Sequence, residues 1–312
     1  MKRPILAIVG ATASGKSSLA LRIAPLLGGE IIACDSMQIY EKMDVGTAKP
    51  TPEERKAVPH HMIDFLPPDT PFSCAEYAER ALAAVDGVHS RGKLPIVVGG
   101  TGLYLDSLLF ERPYAVSEGA SALRDELSEL AKKEGGAHAL WLELSRVDPE
   151  SAEKTHENNV RRVIRALEIY RTTGIPKSRL DKMGGEARFD HAVICLRYPD
   201  RNFLLRRIEQ RVDAMLADGL LEETAMLLRL GVFGTDSTAA KAIGYKEMLG
   251  CIQGKMSLDE CREALVIATR QYAKRQMTWF SAKDYVNMID VTEDEPDPFE
   301  KALALANQLL KQ

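Results

Sequence analysis

The residues Gly10, Ala11, Thr12, Ala13, Ser14, Gly15, Lys16 and Ser17 fit the spacing G-x-x-x-x-G-K-[ST]. In that pattern glycines let the backbone wrap an anion, successive N–H groups point at phosphate oxygens, the lysine adds a charge, and the last hydroxyl can hold Mg²⁺. An apolar run, Pro4 to Gly10, precedes the loop and a helical pattern, Ser17 to Leu27, follows it, so a helix N-terminus also faces the anion. The loop alone does not say which phosphate compound it takes. A nucleotide-hydrolysing enzyme built on this loop normally carries a further strand ending in an acid that helps hold the metal. Here the third apolar run closes on Val98-Gly99-Gly100-Thr101-Gly102 without an acid, and the carboxylate comes at the end of the second, as Asp35. Asp35 is a candidate acid or base at the phosphate crevice, with an N-cap or an indirect metal contact as the plainer alternative. Thr101 is a hydroxyl at the same crevice or part of a tight turn.

Those side chains need a scaffold that gathers strand ends. Apolar runs of strand length stand at Pro4 to Gly10, Glu30 to Asp35, Leu94 to Gly100 and His191 to Leu196. Short, continuously apolar runs fit strands buried on both faces. Helical patterns at Ser17 to Leu27 and Ser73 to Arg91 lie between them, and longer ones follow at Arg201 to Gly231 and Leu258 to Phe280. The alternation predicts an α/β fold, a P-loop NTPase-like parallel sheet with helices on both faces, whose strand carboxyl ends line the ligand crevice. From Pro113 to Arg188 the pattern turns to charged amphipathic helices, with turns at Gly135-Gly136, Gly174 and Gly184-Gly185 and no convincing strand. The expected division is a catalytic core of residues 1–112 and 189–312 and a helical insertion domain, 113–188.

With 312 residues, 45% hydrophobic and 28% charged, the composition is that of an ordinary globular protein. The longest apolar stretches are too short to span a bilayer and the N-terminus runs straight into a strand pattern, so a cytoplasmic protein without membrane contact is expected. Five cysteines without C-x-x-C spacing read as reduced thiols rather than a disulfide framework or a zinc site. The net charge of −4 argues against a chain that is basic throughout, but charge is unevenly distributed. His156 to Asp190 holds eight Lys/Arg against five Asp/Glu, and Lys241 to Lys283 eight against four, whereas the tail after Lys283 holds two against seven. Such sectors are either local nucleic-acid footprints or solvated faces.

The loop is followed by ordered blocks: Asp35-Ser36-Met37-Gln38-Ile39-Tyr40, Gly46-Thr47-Ala48-Lys49-Pro50, His60-His61-x-x-Asp64, Val98-Gly99-Gly100-Thr101-Gly102-Leu103-Tyr104, Ala242-Ile243-Gly244-Tyr245-Lys246-Glu247 and Thr269-Arg270-x-x-Ala273-Lys274-Arg275-Gln276-x-Thr278-Trp279. From the N-terminus to about residue 280 the chain resembles the tRNA dimethylallyltransferases, also called tRNA isopentenyltransferases, of the bacterial type. The resemblance implies transfer of a dimethylallyl group from dimethylallyl diphosphate to the exocyclic amine of the adenine 3′ of the anticodon, by a protein expected to be a monomer. It implies a diphosphate held by Gly10 to Ser17 with Arg207 and Arg211, and Mg²⁺ at Ser17. Asp35 would take the amine proton, Thr101 would hydrogen-bond the departing bridge oxygen, and Lys16 would meet the charge that develops.

A stacked adenine must be flipped out to react, and Ser36, Met37 and Gln38 are expected to read its edge. Contacts to the tRNA anticodon stem-loop are expected from Arg124, Arg161, Arg162 and Arg165 in the insertion, and from Lys241, Gly244, Tyr245, Lys246, Lys274, Arg275, Gln276 and Trp279. The chain departs from the family pattern at His156-Glu157-Asn158-Asn159, where His-Pro-Asn-Asp is common, and at Lys241, where glutamine is common. Two other readings compete: a P-loop kinase of a small molecule or nucleoside, with Arg161, Arg162 and Arg165 as lid arginines, and a non-catalytic RNA-binding protein that uses the phosphate site as a switch.

Overall fold

The computed structural model describes residues 2–111, 120–183, 185–235 and 237–310. Its contacts divide the chain into two units, one of Met1–Leu109 with Arg188–Gln312 and one of Phe110–Ala187.

The first unit is built on six strands: β1 (Pro4–Gly10), β2 (Gly29–Ala33), β3 (His60–His61), β4 (Leu94–Gly99), β5 (Asp190–Arg197) and β6 (Val286–Asp290). They form one parallel sheet in the order β3-β2-β4-β1-β5-β6. Parallel neighbours need crossover connections, and the helices supply them: α1 (Lys16–Ile23), α2 (Pro52–Ala57), α3 (Cys74–Ser90) and α4 (Gly102–Leu109) before the chain leaves this unit. The second unit holds α5 (Ala120–Lys132), α6 (Gly136–Val147), α7 (Pro149–Glu153), α8 (Val160–Thr173) and α9 (Lys177–Met183). After the return come α10 (Arg201–Ala217), α11 (Leu220–Arg229), α12 (Tyr245–Ile252), α13 (Leu258–Ser281) and α14 (Phe299–Leu309).

The central strand β1 shows why apolar runs become strands here. Leu6 to Gly10 are all buried, and Ile8 is registered against Val98 on one side and Ile194 on the other. One sheet face packs Leu6, Ile8, Ile96 and Ile194 against Leu19 and Ile23 of α1 and Ala302 and Ala306 of α14. Helix starts are fixed locally. Ser73 and Glu76 close a capping box on α3, and Ser257 and Glu260 close another on α13, satisfying N–H groups that the first turn leaves open. The second unit has its own core of Leu127, Leu140, Leu144, Val163 and Leu167.

All four expected strands are present, but β3 and β6 were not anticipated. β3 has two half-buried residues and β6 has one buried position of five, so neither carries a continuous apolar run. The single helix expected from Arg201 to Gly231 is two helices, broken at Asp218-Gly219 with Gly219 at φ +98°. The insertion begins and ends slightly earlier than the sequence pattern indicates, at Phe110 and Ala187. Its expected start, Pro113, and Gly184 of the Gly184-Gly185 turn lie outside the described residues. Among the described residues, no helix is long and apolar enough to cross a membrane.

Candidate active site

The loop after β1 has the shape its spacing predicts. Gly15 sits at φ +85°, a left-handed conformation that only glycine adopts without strain, and α1 starts at the next residue. The loop is braced from three sides. Tyr198 donates to the Ser14 carbonyl at 2.8 Å, Arg207 Nε donates to the Ala13 carbonyl at 2.9 Å, and the Thr12 N–H donates to Gln276 Oε1 at 2.8 Å. Inside it, the Ser14 Oγ is buried against Gly10 without a hydrogen-bond partner among the described residues. Lys16 is buried with its Nζ 3.3 Å from the Ala11 carbonyl. Burial, and next the Arg211 guanidinium, pull its pKa down to about 8, against a smaller upward pull from Asp35. Arg211 is likewise pushed below the usual arginine value by burial.

A cavity of about 1070 Å³ opens over this loop, lined by Lys16, Ser17, Arg207 and Arg211 on one side and by Asp35 and Gln38 on another. A smaller one of about 290 Å³ is lined by Ser36, Met37, Gly46, Lys241, Gly244, Lys246 and Arg275. Both include Thr12, Asp35, Thr47, Arg211 and Tyr272, so these residues stand where the two spaces meet. The expected phosphate ligands and Asp35 are therefore brought together by strand ends, as the parallel sheet requires.

Asp35 lies two residues beyond β2, and its Oδ1 accepts the Met37 N–H at 2.9 Å, an Asx turn that fixes the carboxylate. Gln38 spends both amide hydrogens on loop carbonyls, Thr47 at 3.1 Å and Ala48 at 3.2 Å, which leaves Oε1 as its remaining acceptor. Thr101 lines neither cavity. Its Oγ1 accepts the Ser36 N–H at 3.1 Å and lies 3.5 Å from the Ser36 Oγ. The Thr101 side chain also meets the Tyr272 hydroxyl, which burial keeps well above the usual tyrosine range.

Several residues expected at the RNA surface are committed elsewhere. Gln276 is buried, and its Nε2 donates to the Gly100 carbonyl at 3.0 Å while its oxygen holds Thr12, so it ties α13 to the phosphate loop. Tyr245 is fully buried and its hydroxyl donates to Glu223 at 2.7 Å, which leaves no surface for RNA. In the second unit Arg124 pairs with the buried Glu168 at 2.8 Å and Arg165 pairs with the same carboxylate, an internal neutralisation of a buried charge. Arg161 and Arg162 are exposed, and so are Lys274 and Arg275. Trp279 keeps about a third of its surface, with Lys283 5.0 Å above its ring.

The IPP transferase family model matches residues 38–283. The chain belongs to this family. The tRNA dimethylallyltransferase of Thermoanaerobacter pseudethanolicus is 46% identical to this chain over 292 residues, covering 93% of this chain and 92% of that one. The enzyme of the same name from Geobacillus thermodenitrificans is 46% identical over 298 residues, covering 95% and 93%. The crystal structure of the full-length tRNA isopentenylpyrophosphate transferase of Bacillus halodurans matches with a TM-score of 0.71 at 37% identity, over 100% of this chain and 99% of that one. A eukaryotic dimethylallyltransferase acting on tRNA matches with a TM-score of 0.82 at 30% identity, over 99% of this chain and 80% of that one.

Two residues at the site were not among the expected site residues. Tyr272 stands three residues after Thr269 on α13, and Thr47 belongs to a loop whose carbonyl, not its side chain, faces Gln38 and Arg211. At helical spacing Tyr272 falls between Thr269, with which it lines the smaller cavity, and Gln276, with which it lines the larger one.

Proposed function

We propose that the chain transfers a dimethylallyl group from dimethylallyl diphosphate to the exocyclic amine of the adenine 3′ of the anticodon in tRNA, acting as a cytoplasmic monomer. The observation that carries this reading is the junction of the two cavities, where Asp35 stands between a phosphate loop and a smaller space rimmed by Lys241, Lys246 and Arg275. Diphosphate fits the loop side, where amides, Lys16, Arg207 and Arg211 converge. A flipped base fits the smaller side, with phosphates of the RNA on the basic rim.

The amine nitrogen attacks the allylic carbon, the carbon–oxygen bond breaks, and the electron pair leaves on diphosphate. Charge then develops on oxygens that face the loop amides and the cations, which is where fixed donors lower a barrier. The amine proton passes to Asp35, whose carboxylate is held by Met37 and is within the field of Lys16 and Arg211. The Thr101 hydroxyl, shared between Ser36 and Tyr272, turns its proton to the bridge oxygen as it departs. The Ser17 hydroxyl lines the larger cavity beside Lys16, and such an oxygen donor suits Mg²⁺, which takes few protein ligands beside phosphate oxygens and water. Bound there, the ion would neutralise diphosphate charge.

Mass spectrometry of nucleosides tests the reading directly, after incubation of the protein with unmodified tRNA, Mg²⁺ and dimethylallyl diphosphate. Gain of one dimethylallyl group on adenosine is expected. An unchanged nucleoside profile, with ATP rather than the prenyl diphosphate raising the melting temperature, would move the assignment to a kinase.

A further inference from the structure

The loop between Asp44 and Ala48 forms part of both cavities, yet what fixes it comes from α11. The Glu223 carboxylate accepts three successive backbone N–H groups, from Asp44 at 2.9 Å, Val45 at 2.9 Å and Gly46 at 3.0 Å. The Tyr245 hydroxyl completes the set at 2.7 Å. Each carboxylate oxygen takes two of these bonds: Oε2 those of Asp44 and Val45, Oε1 those of Gly46 and Tyr245. The Tyr245 ring also lies flat against the turn, since a Cβ on Gly46 would fall 2.5 Å from Tyr245 Cζ, so glycine is required by close approach. Glu223 and Tyr245 line neither of the two cavities.

The loop fixed in this way presents the Thr47 carbonyl to two residues of the site. It accepts from Gln38 Nε2 at 3.1 Å, and the Arg211 guanidinium lies 3.5 Å from it. We infer that Glu223 is a positioning residue of the reaction: through the three N–H groups it sets the Thr47 carbonyl, and through that carbonyl it orients the Arg211 cation toward diphosphate and the Gln38 oxygen toward the cavity. The inference rests on the prenyl-transfer reading for its consequence in turnover, but its effect on Arg211 is measurable with inorganic diphosphate alone.

Glu223→Gln is the discriminating variant. Whichever way the new amide turns, its NH₂ replaces an oxygen that accepted two hydrogens, so at least one backbone N–H meets a donor instead of an acceptor. Misplacement of a site group by about 1 Å can lower a rate by about 10²-fold. Calorimetric affinity for inorganic diphosphate is therefore expected to fall roughly 10-fold, and kcat roughly 10- to 100-fold, at a temperature well below the melting transition. The salt dependence of RNA binding should stay as in the unmodified protein. Tyr245→Phe, which deletes one of the four bonds and keeps the ring, should move both quantities the same way by a smaller factor, and it carries the test if the first variant does not fold. Folded variants with diphosphate affinity and kcat within about twofold of the starting protein would overturn the inference, even where melting temperature drops. Normal diphosphate binding by the unaltered protein without prenyl transfer would instead reject the proposed reaction, and a diphosphate defect in Glu223→Gln would still support the positioning role.

Discussion

At the scale of single residues, the site sets Lys16 and Arg211 against ordinary solution behaviour. Lys16 is the clearer case, because its ammonium is destabilised by burial and by Arg211 until it titrates at about 8. In the proposed reaction the charged form binds diphosphate, so donor affinity should be fully present below that pH and fall as pH rises through it, by up to about tenfold per pH unit. Calorimetric titration of the donor at several pH values checks this, and Lys16→Met should bind weakly at every pH with no such step. Asp35 gives a second expectation. Asparagine keeps the oxygen that accepts the Met37 N–H but cannot take a proton, so Asp35→Asn should lower single-turnover rates by about 10²–10⁴-fold while donor and RNA affinities change little. A variant that reacts normally but binds donor poorly would make Asp35 a positioning group.

At the scale of elements, α13 is the piece that holds the phosphate loop in place. Gln276 bridges the Thr12 N–H and the Gly100 carbonyl across the carboxyl ends of β1 and β4, and replacing it with alanine strands both groups. Gln276→Ala should destabilise the protein by roughly 1–3 kcal/mol in urea unfolding, with an unchanged m-value, and should weaken donor binding as well. This connection was invisible in the sequence, where Lys274, Arg275 and Gln276 read together as one basic, RNA-facing group. Helical periodicity turns Gln276 inward while its neighbours stay exposed, and only the fold shows what it meets. The loop of Gly10 to Ser17, β1, β2, β4 and β5 were legible because their signals are local: fixed spacing and unbroken apolar runs. β3, β6 and the break at Gly219 were not, since two-residue or half-buried strands lack such runs and one glycine in a helical pattern does not by itself announce a turn. Glu223 and Tyr272 were missed for a further reason: their partners lie far away in sequence.

Across the whole molecule, charge is divided between a contained donor site and dispersed cations. RNA binding is expected to weaken steeply with salt, with a slope of roughly −0.7 to −0.9 in log affinity for each phosphate contacted, whereas donor binding should change less. Charge reversal at Arg161 or Lys274 should reduce that slope and leave diphosphate affinity alone, measured by fluorescence titration over a salt series. Arg165 is a poor choice for that test, since reversing it sets a second acid beside the buried Glu168. The hydrogen bond from the Arg188 N–H to the Leu109 carbonyl, at 2.8 Å, has a consequence of a different kind. It places the two ends of the interrupted core side by side, so the excursion from Phe110 to Ala187 adds chain without prying the sheet apart. Closure entropy grows only with the logarithm of what is looped out. The insertion is thus an exchangeable cassette: Phe110–Ala187 can be lengthened, shortened or replaced while the seam at Leu109 and Arg188 holds the sheet together.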